Sequence, residues 1–203
     1  MSSRLSVAVL VFLSVAGLGA LKAAGVSEQQ AEAFTRKMTM VQQRAVTGVN
    51  AQSPAPQRTP FSEAEVNAWL SYRSTELLPT GVSDPRVTII GDGKLRAAAT
   101  VDLEAIARQR TTGRALDPWT YLGGRLPVTL TGVLRTQNGF GQFELQEAAV
   151  SGVPVPTSVL QDIVAYYSRT DTDPQGVRLN DSFRLPAQIK QIEVGQGQAI
   201  VVQ

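Results

Sequence analysis

Apolar and polar residues alternate between Arg125 and Gly152 in a pattern that predicts a long β-hairpin. Leu126, Val128, Leu130, Gly132 and Leu134 fall on one face of its first strand, and Arg125, Pro127, Thr129, Thr131, Val133 and Arg135 fall on the other. Asn138-Gly139 marks the turn, because both central residues of a type I′ turn need positive φ and this dipeptide tolerates it best. In that register Phe143 and Leu145 oppose Leu134 and Gly132. Carried further without interruption, it sets Glu147 against Leu130. One extra residue near Glu147 restores Ala148 to Leu130 and Val150 to Val128, so the pattern predicts a β-bulge that bends and coils the hairpin. A bent sheet with one apolar face needs apolar material inside its curve, either a helix of its own or a guest.

The same reading places the other elements. Ser62 and Glu65 form a capping box, with Phe61 and Val66 as a hydrophobic staple, and open a helix whose Val66, Trp69 and Leu70 share a face. Val87 to Leu103 is a strand pair around Gly91-Asp92-Gly93. A loop of about three residues puts Val87 and Ile89 on the face of Leu95, Ala97, Ala99, Val101 and Leu103. Ser151 to Pro156 is an extended connection stiffened by prolines, leading into a helix from Thr157 to Ser168. On that helix Val159, Leu160, Ile163, Val164, Tyr166 and Tyr167 span an arc of roughly 160°, wider than a surface helix needs. The bland account of such a stripe is core packing; its width also suits an apolar ligand. A last hairpin turns at Gly195-Gln196-Gly197, and a loop like the Gly-Asp-Gly one sets Ile192 opposite Ile200.

Upstream of these elements, Arg4 precedes an apolar run from Leu5 to Leu21, followed by Lys22 and Ala23-Ala24. This is the layout of a secretory signal, with cleavage after Ala20 or Ala23, or of an uncleaved membrane anchor. Both outcomes export the remainder of the chain. Ser27 to Ala45 carries a thin stripe of Phe34, Met38, Val41 and Ala45 and reads as a solvated stalk, capped by Ser27 and Gln30. Pro54, Pro56 and Pro60 then mark a linker. The expected organisation is residues 1–24 as signal or anchor, 25–60 as a helical and Pro-rich linker, and 61–203 as one domain.

Composition narrows the chemistry. The formal charge of +2 on 203 residues excludes a nucleic-acid binder. Cysteine and histidine are both absent, which removes thiol nucleophiles, Ser-His hydrolases, and thiolate or imidazole metal sites. Asp171 to Gly176 begins like a calcium loop, but Ser182 stands at the twelfth position where a bidentate Glu is needed. Glu144 with Glu147, and Asp102 with Glu104, are formal glycosidase pairs lacking any apolar pocket that would raise one pKa. A Ser-Lys dyad through Lys94 or Lys190 has no supporting motif. The chain is therefore expected to be no enzyme and to need no cofactor and no metal. Arg108, Arg110 and Arg114, close to Trp119 and Tyr121, read either as a lip touching anionic headgroups or as a solvated loop.

The order of parts resembles a known family. The capped helix at Phe61-Ser62-Glu63-Ala64-Glu65, the strand ending Thr100-Val101-Asp102-Leu103, the long hairpin, Ser151-Gly152-Val153-Pro154-Val155-Pro156 before a broad apolar helix, and Phe183-Arg184-Leu185-Pro186-Ala187-Gln188-Ile189 before a final hairpin resemble exported bacterial lipid-binding proteins of the LmeA-like and YpmS-like kind. These are similar to the tubular lipid-binding (TULIP) superfamily. The resemblance implies a periplasmic or envelope protein holding an acyl chain between a coiled sheet and a helix. The fold expected is α+β: a strongly curved antiparallel sheet of about six strands packed on or wrapped around one long amphipathic helix, a TULIP-like half-barrel. The expected ligand contacts are Val128, Leu130, Leu134, Phe143, Leu145, Val159, Ile163 and Tyr166, and the expected membrane contacts are Arg108, Arg110, Arg114 and Trp119. Expected partners are a lipid or other apolar small molecule and a membrane surface. The other reading is a non-catalytic envelope scaffold or assembly factor whose core is filled by its own side chains.

Overall fold

A computed structural model describes residues 27–47, 55–74, 77–102, 104–105, 124–168, 175–176 and 178–203; the side chains of 163 and 166–168 fall outside that set. The fold is α+β, with antiparallel strand pairing throughout the described residues. In chain order the elements are α1 (Glu28–Thr47), β1 (Arg58–Ser62), α2 (Glu63–Arg73), β2 (Val82–Gly91), β3 (Lys94–Asp102), β4 (Arg125–Gln137), β5 (Phe140–Val150), β6 (Val153–Pro154), α3 (Thr157–Ser168), β7 (Ser182–Arg184), β8 (Gln191–Gly195) and β9 (Gln198–Val202). Six strands form one sheet in the order β2-β3-β4-β5-β6, with β7 also on β5, and β1-β9-β8 form a smaller one.

The long hairpin β4–β5 has the register its sequence predicts. Leu134 faces Phe143, Gly132 faces Leu145, Leu130 faces Ala148 and Val128 faces Val150. Gln146 is the extra residue, because Thr131 pairs with Glu147 while the adjacent Gly132 pairs with Leu145. Asn138 and Gly139 both have positive φ, at 52° and 80°. Gly132 has a second role. A Cβ there would lie 2.5 Å from both the Glu144 carbonyl and the Phe143 ring, so the ring lies over bare backbone.

Three other turns differ from expectation. Val87, Ile89, Leu95, Ala97 and Ala99 do share a buried face, but the loop between β2 and β3 is the two-residue Asp92-Gly93, with φ of 52° and 79°, and Ile90 is bulged out. A bulge thus does the work assigned to a longer loop. No such bulge occurs in the last hairpin, where Gln196-Gly197 is the turn and Gly195 pairs with Gln198. Ile192 consequently faces Val201 and not Ile200. Ser151-Gly152 is also a turn, with φ of 52° and 79°, and folds Val153 back beside Val150 where a continuous extended connection was expected.

The largest correction concerns the segment expected to be a stalk and linker. Ser27 and Gln30 do cap α1 reciprocally. The helix does not stand in solvent, however. Val41 is 0% exposed and clusters with Phe61, Leu185, Ile189 and Val201, against which Phe34 and Met38 also pack. The Phe34 ring meets Phe61 edge-on at 5.1 Å and Trp69 at 5.2 Å. Polar residues beside the stripe complete the attachment. Lys37 Nζ donates to the Pro60 carbonyl and to both Glu65 oxygens at 2.7 Å, Arg44 donates to Thr59 Oγ1 at 3.0 Å, and Gln188 Nε2 donates to the Ala45 carbonyl at 2.7 Å. A thin apolar stripe suffices because long flanking side chains contribute both their stems and their polar ends. The expected linker also contributes β1, which pairs with β9 from Arg58↔Val202 to Ser62↔Gln198. The core therefore begins in α1, well upstream of the expected boundary at residue 61.

Candidate functional site

One face of the six-stranded sheet is apolar across four strands. Ala97, Leu130 and Ala148 lie in one row across it; Ala99, Val128 and Val150 lie in the next, and Val101 faces Leu126 beyond them. The other face carries Arg96, bonded to Thr131, and the Arg135–Glu144 ion pair at 3.1 Å. A sheet largely solvated on one side explains this alternation, with Thr131 on that side covered to 2% exposure and bonded by Arg96.

The apolar face has two differently covered ends. At the end with the β2–β3 and β4–β5 turns, Val87, Ile89, Leu95 and Leu134 form a closed core with Leu70, and Trp69, Phe143, Ile192 and Val194 pack around them. The capping box at the start of α2 is formed, with Glu65 N–H donating to Ser62 Oγ at 3.2 Å and Ser62 N–H donating to Glu65 Oε2 at 2.9 Å. The smaller sheet is fastened there through Thr136, whose hydroxyl donates to the Ile192 carbonyl and accepts from the Ile192 N–H, both at 2.8 Å. At the opposite end Leu126, Val128, Leu130 and Val150 are only half-buried. Ala97 and Ala99 on β3 and Ala148 on β5 flank Leu130 and Val128 of β4 and are buried.

These positions sort the expected ligand contacts. Val128, Leu130 and Leu145 lie together on the half-buried part of the face. Leu134, only 7% exposed, and Phe143 spend their apolar surface on α2 and β8, so the structure places them in the protein's own core. Val159 is 38% exposed, while its neighbour Leu160 is buried; α3 lies against β5. The wide apolar arc hid that choice, since both residues fall inside it. The side chains of Ile163 and Tyr166, and the whole of Arg108, Arg110, Arg114 and Trp119, lie outside the described residues. Leu126, Val150 and the three alanines were missed as site residues, although the alternation that found Val128 and Leu130 carries them as well.

Several of the other candidate groups have structural roles. Asp102 Oδ1 accepts from the Ala105 N–H at 2.8 Å, Glu144 pairs with Arg135, and Ser182 sits in β7 opposite Gln142. Asp171 to Pro174 lie outside the described residues. Among the described residues no group of three or more acidic side chains is placed to hold a metal ion, and no helix is long and apolar enough to cross a membrane. Two shallow surface concavities flank α1, one of about 490 Å³ lined by Glu32, Thr35, Arg36, Trp69 and Arg73, the other of about 520 Å³ along Ala33, Arg36, Lys37 and Met40. Compared with known proteins, the chain matches no family model, no curated protein and no solved structure.

Proposed function

We propose that this is an exported periplasmic or envelope protein, not an enzyme, that holds a lipid or other apolar ligand against the half-buried part of its sheet for transfer or envelope maintenance. The observation that carries the reading is the group of half-buried apolar side chains Leu126, Val128, Leu130 and Val150, on a face whose other half is closed by α2 and β8. Pockets for apolar ligands are lined by such surfaces, with few polar groups. The bulge at Gln146 supports a curled, half-barrel form of the sheet, and α3 against β5 supplies an amphipathic helix beside these residues. The export pattern at Leu5 to Leu21 supplies the compartment.

The test is to purify the chain, extract it with organic solvent for mass spectrometry, and titrate it with a fluorescent fatty acid. A co-purifying lipid and saturable binding are expected. Neither appearing would end the carrier reading. The filled core around Leu134 and Phe143 favours the second reading, a non-catalytic scaffold or assembly factor. A stable protein partner in a pull-down, with no lipid bound, is its expected signature.

A further inference from the structure

The two ends of the sheet differ in what the rest of the chain attaches to them. Glu63 accepts from the Ile89 N–H and Asn67 bonds Val87, so α2 runs from the turn end of β2 toward its start. The last residue of α2, Arg73, reaches Glu28 at the first residue of α1, at 3.4 Å. The chain then passes Leu77, whose N–H bonds the Ser74 carbonyl at 2.7 Å, and enters β2 at Val82, opposite Val101. Val101 pairs with Leu126, and one residue on, the Pro127 carbonyl accepts from the Ser151 N–H at 2.7 Å. The first turn of α1, the Leu77 loop and the Ser151-Gly152 turn therefore share the end at which the apolar face is half-buried. The far end holds the Asn138 turn, the Gln196 turn and the C-terminal turn of α1, which is fixed by Gln188 on the Ala45 carbonyl.

The tether upstream of α1 distinguishes these two ends. Six residues separate the apolar run Leu5 to Leu21 from Glu28, so Leu21 and Glu28 lie at most about 25 Å apart. Helix α1, at twenty residues, is about 30 Å long, so a protein standing end-on to a bilayer holding that run presents the end at which α1 begins and not the other. Of the two fates of Leu5 to Leu21, the uncleaved anchor is the one that fixes an orientation: we infer that the half-buried end of the apolar face is the end presented to a lipid bilayer, the docking partner being the surface of the membrane that this anchor spans. This rests on the reading of that face as a lipid site and names the surface from which the lipid is exchanged.

The exposed residues at this end suit a headgroup layer: Leu77, Val153 at 64% exposure, and Tyr72 beside Arg73. Aromatic and arginine side chains are favoured at that depth, and Lys22 stands at the boundary of the apolar run. Val46 and Phe140 are exposed at the far end, so exposure alone does not choose between the ends. The short tether does.

The chain has no cysteine, so single cysteines report position cleanly. L77C and V153C at the near end, and Q137C and Q196C at the far end, are labelled with an environment-sensitive fluorophore. The full chain is reconstituted into phosphatidylethanolamine–phosphatidylglycerol vesicles carrying spin-labelled quencher lipids. Blue-shifted emission and several-fold stronger quenching at 77 and 153 than at 137 and 196 are expected. Equal quenching at both ends, the reverse order, or none overturns the inference; two probes per end keep the result readable if one variant misfolds. Uptake of a fluorescent fatty acid from the same vesicles is read in parallel. Near-end docking without uptake removes the lipid-holding reading and leaves the orientation standing, and uptake without near-end docking does the reverse.

Discussion

The Asn67 carboxamide stands beside Val87 where a neighbouring strand would otherwise stand: Nδ2 donates to the Val87 carbonyl at 2.7 Å and Oδ1 accepts from the Val87 N–H at 2.8 Å. On the same edge Glu63 accepts from the Ile89 N–H at 2.7 Å, the Gly197 N–H donates to the Ile89 carbonyl at 2.8 Å, and Pro85 has no N–H to offer. An edge strand with its backbone groups taken cannot template another chain. Asn67→Ala is expected to cost about 1–3 kcal/mol, by leaving two backbone groups without partners, and to raise self-association. Denaturant unfolding and light scattering check the two effects separately.

Gly132→Ala places a Cβ 2.5 Å from the Glu144 carbonyl oxygen and from the Phe143 ring. The ring can swing away; the carbonyl belongs to the paired strand and cannot. The expected loss is about 1–3 kcal/mol, and adding Phe143→Leu should recover only part of it. A double-mutant cycle in denaturant measures the recovered part.

Burial would push the Glu65 carboxyl up, but the hydrogen bonds from the Lys37 ammonium and the Ser62 amide outweigh it and hold the group below the usual carboxylate range. The Arg58 guanidinium lowers Glu193 at the surface in the same direction. An acid with a depressed folded-state pKa adds stability that is present above its unfolded value and lost as pH falls through its folded value. Stability is therefore expected to decline below about pH 4.5, the ordinary value for these groups. Lys37→Met should cost about 1 kcal/mol at pH 7 and make the decline shallower. Unfolding midpoints measured from pH 7 to pH 3 decide it.

Helix α1 should behave as core. Phe34→Ala removes a ring that touches Phe61 and Trp69, and is expected to cost about 2–4 kcal/mol. A chain beginning at Ala55 uncovers Phe61, Leu185, Ile189 and Val201 and should aggregate or lose cooperative unfolding. If that chain unfolds with the full-length midpoint, α1 is a stalk after all.

The two halves of the apolar face should respond differently to substitution. Leu134→Ala, in the closed core, is expected to cost about 2–4 kcal/mol and to leave fatty-acid affinity nearly unchanged at a temperature where the variant is folded. Leu130→Gln, on the half-buried part, should cost less stability and weaken binding about tenfold or more. Thermal unfolding and fluorescent fatty-acid titration of both variants make the comparison.

The β4–β5 pairing, including its extra residue near Glu147, was legible because strand register follows from side-chain alternation once Asn138-Gly139 sets the turn. The Gly195-Gln196-Gly197 turn looked like Gly91-Asp92-Gly93 yet takes a different register. What separates them is the bulge at Ile90, where the chain lies against Glu63, Asn67 and Gly197, none of them local. Helix α1 was read as solvated for a related reason: its stripe is thin, and Lys37 and Arg44 count as surface until Pro60, Glu65 and Thr59 are placed beside them.

By itself the sequence determined the long hairpin and its Asn138-Gly139 turn, the helix caps and the apolar side of the sheet, since each depends on residues a few positions apart and on their own φ preferences. Which half of that apolar side is sealed was decided only in three dimensions. Leu134 and Leu130 are alike in type and in strand position, and what separates them is the arrival of Trp69, Leu70, Ile192 and Val194 over one and not the other. Those arrivals are set by contacts such as Arg73 to Glu28 and Thr136 to Ile192, between residues 45 and 56 positions apart, and no local pattern encodes them.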